Sequence, residues 1–424
     1  MPSDKPLTSR MRSDGEPLGL EEYVRAGGYQ GLQSALKLSP HQVIEQVAHS
    51  NLKGRGGAGF PTAKKWGVVP TDLAQQPRYF VVNADEMEPG TMKDRLLMEG
   101  DPHQLIEGII IGSYAVGAAA AYLFLRMEYY KSERILKKAI AEAYAAGYLG
   151  KNIQGSHFSL DLHLHTSAGR YMCGEETGLL NALEGRRATP RFKPPHPPLV
   201  GLWGKPTALN NVETLCCVPH ILRDGWQHFR SLSRTEDGGT KIYGASGRVK
   251  NPGLWELPMG TSAREIIFDR AGGMMDGCRF RGFLPGGAST SFLVEEHLDA
   301  RMDFTGLHAH GSRLGTGTLI VLDDTVCPVG MMLNLEVFFA RESCGWCTPC
   351  REGLPWVAQM LEALELGSGR QQDLDILHEH TNLLLMGRTF CALAPGAIDP
   401  LRSAMKYFHD DFRRHVIDRR CPWR

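Results

Sequence analysis

The stretch "GIIIGSYAVGAAAAYLFL", residues 108–125, decides the fold. Its eighteen residues carry no charge, which is near the lower limit for a membrane span. Its composition points elsewhere. Five of the eighteen are Ala and three are Gly, and Glu107 and Arg126 bracket them closely. The pattern divides into a buried helix, "QLIEGIIIGSYAVGA", and a buried strand, "AYLFLR", as in an α/β core.

The flanking sequence extends that pattern. Residues 18–53 read as short amphipathic helices, with Val43, Ile44, Val47 and Ala48 at helical spacing. "RYFVVNADE" reads as a strand running into a polar turn, "SERILKKAIAEAYAAGYLG" as a helix ending on Gly147 or Gly150, "FSLDLHLHTS" as a strand and "GEETGLLNALEG" as a helix. Alternating helices and strands argue for an α/β layer with a largely parallel sheet to about residue 235. A small α+β module of about 85 residues follows, with a strand, an "NPG" turn, a second strand and a helix in "KIYGASGRVKNPGLWELPMGTSAREIIFDRAGG", and further strands in "RFRGFLPGGASTSFL" and "LGTGTLIVLDD". From about residue 328 strands are not expected, and helices carry the chain to its end.

Bulk properties exclude some functions. Lys+Arg and Asp+Glu are both 47, so there is no basic excess to favour nucleic acid. The N-terminal "MPSDKPLTSRMRSDGEP" lacks an apolar core and holds three acidic residues, so no secretory or transit signal is expected. The ten cysteines then read as reduced thiols, metal ligands or redox groups rather than disulfides.

In "ESCGWCTPCREG" (342–353), Cys344, Cys347 and Cys350 recur at a three-residue interval. Three thiolates so spaced can cap three irons of a cubane, with a fourth ligand from elsewhere. Zinc sites more often come as two separated pairs, and a redox or structural thiol cluster is the third reading. Cys391 in "RTFCALAPG" is the choice for the fourth ligand. Its rival Cys421 lies in a tail expected to fray. Cys173, Cys216, Cys217, Cys278 and Cys327 have no partner spacing and read as small buried hydrophobes.

"GRGGAGF" (54–60) contains G-x-G-x-x-G, but a helix precedes it, whereas the dinucleotide fingerprint requires a strand. What remains is a loop whose amides can approach a phosphate or a flat ring, followed by Phe60, Lys65 and Trp66. Asn83, Asp85, Glu86 and Glu88 cluster where a strand ends, the place open α/β sheets bind ligands. Gly174, Glu175 and Glu176 open a helix, where acids also serve as dipole partners. Asn210, Asn211 and Thr214 offer polar groups suited to a flavin edge or ribityl hydroxyls.

Together, "GRGGAGFPT", "NADE-EPGT-KDR", "CGEET", "KPP-P", "GLWGKPT-LNNVETL", "GTGT" and "ESCGWCTPCREG" resemble the family of FMN-binding, NADH-oxidising subunits of respiratory complex I (NADH-quinone oxidoreductase), over about residues 15–420. The resemblance implies a Rossmann-like α/β domain for FMN and NADH (1–238), a β-grasp, SLBB-like α+β module (239–327) and a C-terminal helical bundle carrying a [4Fe–4S] cluster (328–424). It implies FMN bound by Gly54, Arg55, Gly56, Gly57, Ala58, Gly59, Lys65, Asn83, Asp85, Glu86, Tyr171, Gly174, Glu175, Asn210, Asn211 and Thr214. NADH would be contacted by Phe60, Lys65, Glu88 and Glu176, with His196 where many relatives carry a stacking aromatic. The catalytic set it implies is Glu86, Glu88 and Glu176. Glu88 and Glu176 position nucleotide groups, and no acid/base catalyst is needed for hydride transfer from NADH to FMN. The implied cluster ligands are Cys344, Cys347, Cys350 and Cys391, passing single electrons onward.

The implied partners are a thioredoxin-like [2Fe–2S] subunit and a large multi-cluster iron–sulfur subunit, in the peripheral arm at the cytoplasmic face of a bacterial inner membrane. The same family includes the diaphorase subunits of NAD-linked hydrogenases, formate dehydrogenases and electron-bifurcating complexes, whose site would look alike. Met87, Val68, His196 and the "CALAPG" setting of Cys391 depart from the family pattern.

Overall fold

A computed structural model of the chain describes residues 4–72 and 76–424. The first three residues of the N-terminal stretch read above for a targeting signal lie outside the described residues. Two compact units are formed. The first comprises Met1–Met87, Met92–Ile242 and Glu256–Gly260; the second comprises Glu88–Thr91, Tyr243–Trp255 and Thr261–Arg424.

The opening stretch folds as a helix, Pro102–Val116, and a strand, Ala120–Leu125. Asp101 caps the helix, accepting a hydrogen bond from the Gln104 amide, and Pro102 occupies its first turn. Gly117 at φ 65° ends it. Every helical residue except Tyr114 is buried, so its apolar character serves close packing in a core. Gly108 and Gly112 are the contact points. A Cβ at Gly108 would stand 2.2 Å from the Leu215 carbonyl oxygen, and one at Gly112 would stand 2.6 Å from the Phe80 ring. Among the described residues no helix is long and apolar enough to cross a membrane.

Among the described residues eight strands run in chain order: β1 Tyr79–Ala84, β2 Ala120–Leu125, β3 Asp161–Thr166, β4 Thr207–Asn211, β5 Thr240–Gly247, β6 Gly253–Pro258, β7 Phe280–Leu284 and β8 Thr318–Asp323. The first four form a sheet of order β3-β2-β1-β4 in which every pairing is parallel. The chain builds outward from β1 to β2 and β3, then returns to place β4 on the other side of β1. That reversal makes the carboxyl ends of β1 and β4 a topological switch point, where open α/β sheets bind ligands. The second sheet has order β6-β5-β8-β7, with β5 and β8 parallel and β7 and β8 antiparallel. The helix expected between β6 and β7 is a π-type turn, Glu265–Arg270.

In the second unit, helices Pro328–Glu342, Thr348–Glu365, Gln371–Leu383, Leu393–Tyr407 and His409–Asp418 follow β8. The first packs on the second and on Leu393–Tyr407.

Candidate functional site

The Gly-rich loop is pinched at its base. The Gly54 amide donates to the Phe60 carbonyl (2.9 Å) and the Thr62 amide to that of Leu52 (3.0 Å). Gly57 at φ 124° and Gly59 at φ 66° hold conformations that other side chains resist. The Arg55 side chain is turned inward. It is fully buried, its amide donating to Thr214 Oγ1 (2.8 Å) and its guanidinium to the carbonyls of Gly238 (2.6 Å) and Thr240 (3.2 Å). The loop is thereby tied down from behind.

In the first unit this loop borders a cavity of about 820 Å³ at the switch point, within the usual range for cofactor sites. Of the residues proposed from sequence, Gly54, Gly56, Ala58, Gly59, Phe60 and Lys65 line it, as do Asn83, Gly174, Glu176, His196, Asn210, Asn211 and Thr214. Arg55, Gly57, Asp85, Glu86, Tyr171 and Glu175 are not among its described lining residues. Glu88 belongs to the second unit, where its Oε1 accepts a hydrogen bond from the Ser289 amide (2.6 Å). Val68 also lines the cavity, so two of the departures from the family pattern, Val68 and His196, stand on its wall.

The wall carries charge. Lys193 Nζ bridges Glu175 Oε1 (2.8 Å) and Glu176 Oε1 (2.9 Å), and Lys65 Nζ stands 3.7 Å from Glu176 Oε2 while donating to the Leu209 carbonyl (3.0 Å). Burial alone would raise the Glu176 carboxyl, but Lys65 and Lys193 outweigh it and hold it below the ordinary glutamate value. Burial lowers Lys65, with Glu176 opposing. Sequence reasoning missed Lys193 and Thr62 as site residues, and both line the cavity. Lys193 opens the quoted "KPP-P", so its signal was motif membership. Thr62 gave no signal beyond ending "GRGGAGFPT".

Two acids act as helix caps. Glu175 Oε2 accepts from the amides of Thr177 and Gly178 (both 2.8 Å), opening the helix Glu176–Leu183. Glu86 accepts from the amides of Asp94 (2.9 Å) and Arg95 (3.1 Å) and from the Tyr129 hydroxyl (3.0 Å). Burial, reinforced by Asp94, pushes Glu86 up to about 7 from the ordinary 4.5. A carboxyl raised in the folded state contributes stability below its unfolded value and loses it as pH rises through the folded one. Between pH 5 and 8 the first unit is expected to lose up to about 3 kcal/mol through this group. Thermal melts across that range should show the loss in the native chain and a flatter profile in Glu86→Gln.

Behind the cavity, Glu213 is fully buried. It accepts from Lys241 Nζ (2.9 Å) and from the Ile242 amide (2.9 Å), and Lys93 Nζ stands 3.1 Å away. Burial opposes its ionisation, yet Lys241, Lys93 and Arg55 hold it down to about 2.

In the second unit, Cys344 lies between helices, Cys347 caps Thr348–Glu365, and Cys350 is buried in that helix's first turn. Gly345 takes φ 75° to make the bend. Ser343 Oγ lies 3.2 Å from Cys350 Sγ. Burial pushes the Cys350 thiol up to about 12, and Cys347, Cys391 and Cys344 act in the same direction, so the four thiols gather in one place. Cys421 is elsewhere. The frayed tail expected for it is not found: Cys421 is buried, and the following Trp423 donates to the Asp324 carbonyl (3.1 Å) and stacks on His415. Cys327, read as a small hydrophobe, instead meets polar side chains, Glu365 and His415.

Comparison with known proteins matches residues 47–220 to the Nuo51 FMN-binding domain and residues 330–415 to the NADH-ubiquinone oxidoreductase-F iron-sulfur binding region. The chain is 55% identical to the F subunit of NADH-quinone oxidoreductase from Salmonella typhimurium and to that from Escherichia coli, in each case over 98% of this chain and 94% of the relative. Identity to the Mycobacterium bovis counterpart of the same name is 47%, over 99% of this chain and 95% of the relative. A chain of an NAD+-reducing [NiFe]-hydrogenase in the H2-reduced state superposes with TM-score 0.82 at 31% identity, covering 96% of this chain and 68% of the other. With near full-length identity at this level, and with both matched regions falling on the cavity and on the gathered thiols, the chain belongs to the family of NADH-quinone oxidoreductase F subunits.

Proposed function

We infer that this chain is the NADH-oxidising, FMN-carrying subunit of an NADH-quinone oxidoreductase, with a [4Fe–4S] cluster as its outlet for single electrons. The observation that carries this is the 55% identity to subunits of that name across 98% of the chain. Two features support a fit with FMN. Thr62 Oγ1 is buried on the cavity wall without a hydrogen-bond partner among the described residues. The loop also presents Gly54, Gly56, Ala58 and Gly59 to the cavity, and a Cβ at Gly56 would crowd Asn211 at 3.2 Å. For the cluster, four thiols are the donor set iron–sulfur sites use.

FMN would be held by the Gly54-to-Gly59 loop with Lys65, Asn83, Gly174, Asn210, Asn211 and Thr214. Asp85, Tyr171 and the capping acids Glu86 and Glu175 would support it from behind. NADH would lie against Phe60, Lys65, Glu176 and His196. Cys344, Cys347, Cys350 and Cys391 would hold the cluster. Bound FMN matches a two-electron donor to one-electron carriers, while the protein supplies orientation and electrostatics. Glu176, kept ionised between two lysines, can accept hydrogen bonds from sugar hydroxyls. Phe60, Val68 and Leu199 give the cavity apolar surface that excludes water.

The second sheet supports reading residues 239–327 as a β-grasp module, and the helices after it support 328–424 as a helical cluster-bearing domain. The partners would be a thioredoxin-like [2Fe–2S] subunit and a large multi-cluster subunit, at the cytoplasmic face of a bacterial inner membrane. Trp346 and Phe390 are exposed beside Cys347 and Cys391 in sequence and support docking there.

The test is NADH-to-ferricyanide activity with flavin and iron content, on protein co-expressed with the small iron–sulfur subunit. Anaerobically purified protein lacking both iron and a flavin band near ~450 nm sinks the reading. The diaphorase reading has the hydrogenase likeness in its favour, at lower identity. Co-purification with a hydrogenase or formate dehydrogenase large subunit, rather than membrane-arm subunits, decides for it. Glu176→Gln removes the carboxylate that faces Lys65 and leaves Lys193 with Glu175 alone. The KM for NADH is expected to rise about tenfold with kcat nearly unchanged; an unchanged KM would place nucleotide recognition elsewhere.

A further inference from the structure

Away from the four gathered thiols, Cys327, Glu365, His415 and Cys421 converge, with one donor atom from each within 4.8 Å of all the others. They come from separate places in the second unit. Cys327 caps the helix Pro328–Glu342, Glu365 ends the helix Thr348–Glu365, His415 lies in the last turn of His409–Asp418, and Cys421 follows it. We propose that these four side chains form a second metal site, for a structural divalent ion with Zn2+ the best match.

The geometry is that of a shell built inward. Cys327 Sγ lies 2.9 Å from Glu365 Oε1 and 3.3 Å from His415 Nε2, and His415 Nε2 lies 3.2 Å from Glu365 Oε1. Tetrahedral zinc with these ligands has edges of about 3.3–3.8 Å, so these three pairs would open slightly on binding. Glu365, His415 and Cys421 are buried.

The hydrogen bonds fix the direction of each donor. His415 Nδ1 stands 2.7 Å from the Asp411 carbonyl, which only accepts, so Nδ1 carries the proton. His415 Nε2 is thereby left facing Glu365 Oε1 and Cys327 Sγ, so the ring nitrogen that would ligate a metal points at the same centre as the other donor atoms. Glu365 Oε2 makes no hydrogen bond among the described residues, with the Arg424 guanidinium 3.5 Å away. Two thiolates, one carboxylate and a divalent ion sum to one negative charge, which Arg424 faces. Binding releases the two thiol protons to solvent.

An outer shell is present as well. The Gly330 amide donates to Cys327 Sγ (3.3 Å), and a Cβ at Gly330 would stand 3.1 Å from Glu365 Oε1. The Asp411 carbonyl orients His415, as outer partners of metal-bound imidazoles do. Trp423 stacks on the ring at 6.0 Å with 16° between planes. The ion would tie the chain's last residues to the outer ends of the two helices that flank the Cys344–Cys350 loop. Helix Pro328–Glu342 separates Cys327 from that loop by roughly 20 Å, so the two metal centres are independent.

The full chain, co-expressed with its small iron–sulfur subunit in zinc-supplied medium, is assayed for zinc, iron and flavin and by zinc K-edge absorption. About one zinc per chain is expected beside the iron, with two Zn–S contacts near ~2.3 Å and two shorter N/O contacts. The double variant Cys327→Ser/Cys421→Ser should lose the zinc and keep iron and flavin, whereas Cys344→Ser should lose iron and keep the zinc. Zinc that disappears with Cys344→Ser instead is an ion adventitiously in the cluster site, and overturns the proposal. So does wild-type protein with full iron and no zinc, or a Cys327–Cys421 disulfide in the non-reduced mass spectrum. Where the double variant does not fold, the wild-type absorption spectrum decides alone: four Zn–S contacts, or none, overturn the site.

Discussion

Replacing Cys391 with Ala is expected to abolish the native reduced-cluster EPR signal and lower iron below the roughly four atoms per chain of a cubane. Burial pushes the Cys350 thiol up to about 12, with Cys347, Cys391 and Cys344 adding to it, so the four sulfurs share one neighbourhood. Three thiolates cap only three irons, and the fourth corner then opens to solvent. Flavin content should not change, because the cavity is lined wholly by residues of the first compact unit. Electron transfer out of the chain should collapse. Cys421→Ala is the control, since Cys421 sits with Cys327, Glu365 and His415. An unchanged EPR signal in Cys391→Ala, or loss of iron in Cys421→Ala, would reverse the ligand assignment.

Glu213→Ala should be the most destabilising single change in the first unit. Its carboxylate serves two buried lysines, Lys241 at 2.9 Å and Lys93 at 3.1 Å, together with the Ile242 amide. Removing one partner of a buried ion network strands the others, at a cost of about 3–5 kcal/mol. The first thermal transition should fall by roughly ten degrees. Lys93 keeps Asp94 at 2.7 Å, so Lys241 bears most of the loss. Lys241 is already pushed down to about 8 by burial, with Glu213 opposing that shift. The sign with pH follows from the carboxylate. Held at about 2 against an ordinary 4.5, Glu213 contributes stability above pH 4.5 and loses it as pH falls towards 2. The native chain should therefore show an acid limb in its melting curve that Glu213→Ala lacks. A variant melting within about two degrees of the native chain would mean that the lysines find other partners.

The two largest sequence signals were local in character. The apolar pattern divided the 108–125 stretch into helix and strand, and in the structure nearby residues, Asp101, Pro102 and Gly117, delimit that helix by local backbone chemistry. The three-residue thiol spacing was likewise visible without a fold. What the sequence could not show arises where distant segments meet. Arg55 looks like a ligand-facing residue in a Gly-rich loop, yet its partners at 214, 238 and 240 turn it inward. Glu86 and Glu175 accept amides at helix starts, a role that composition alone does not separate from that of a ligand acceptor. Lys193 reaches Glu176 across a connection with no regular periodicity. Cys421 was judged by its nearness to the chain end, but Trp423 and His415 hold that end in place.

The pinned base of the 54–59 loop has a consequence for affinity. Ordering six flexible residues upon association costs roughly 1–2 kcal/mol each in backbone entropy. Here Arg55, the Gly54–Phe60 hydrogen bond and the Thr62–Leu52 hydrogen bond impose that order during folding. A ligand therefore meets a preorganised cradle, and more of its contact energy appears as tight binding and slow dissociation.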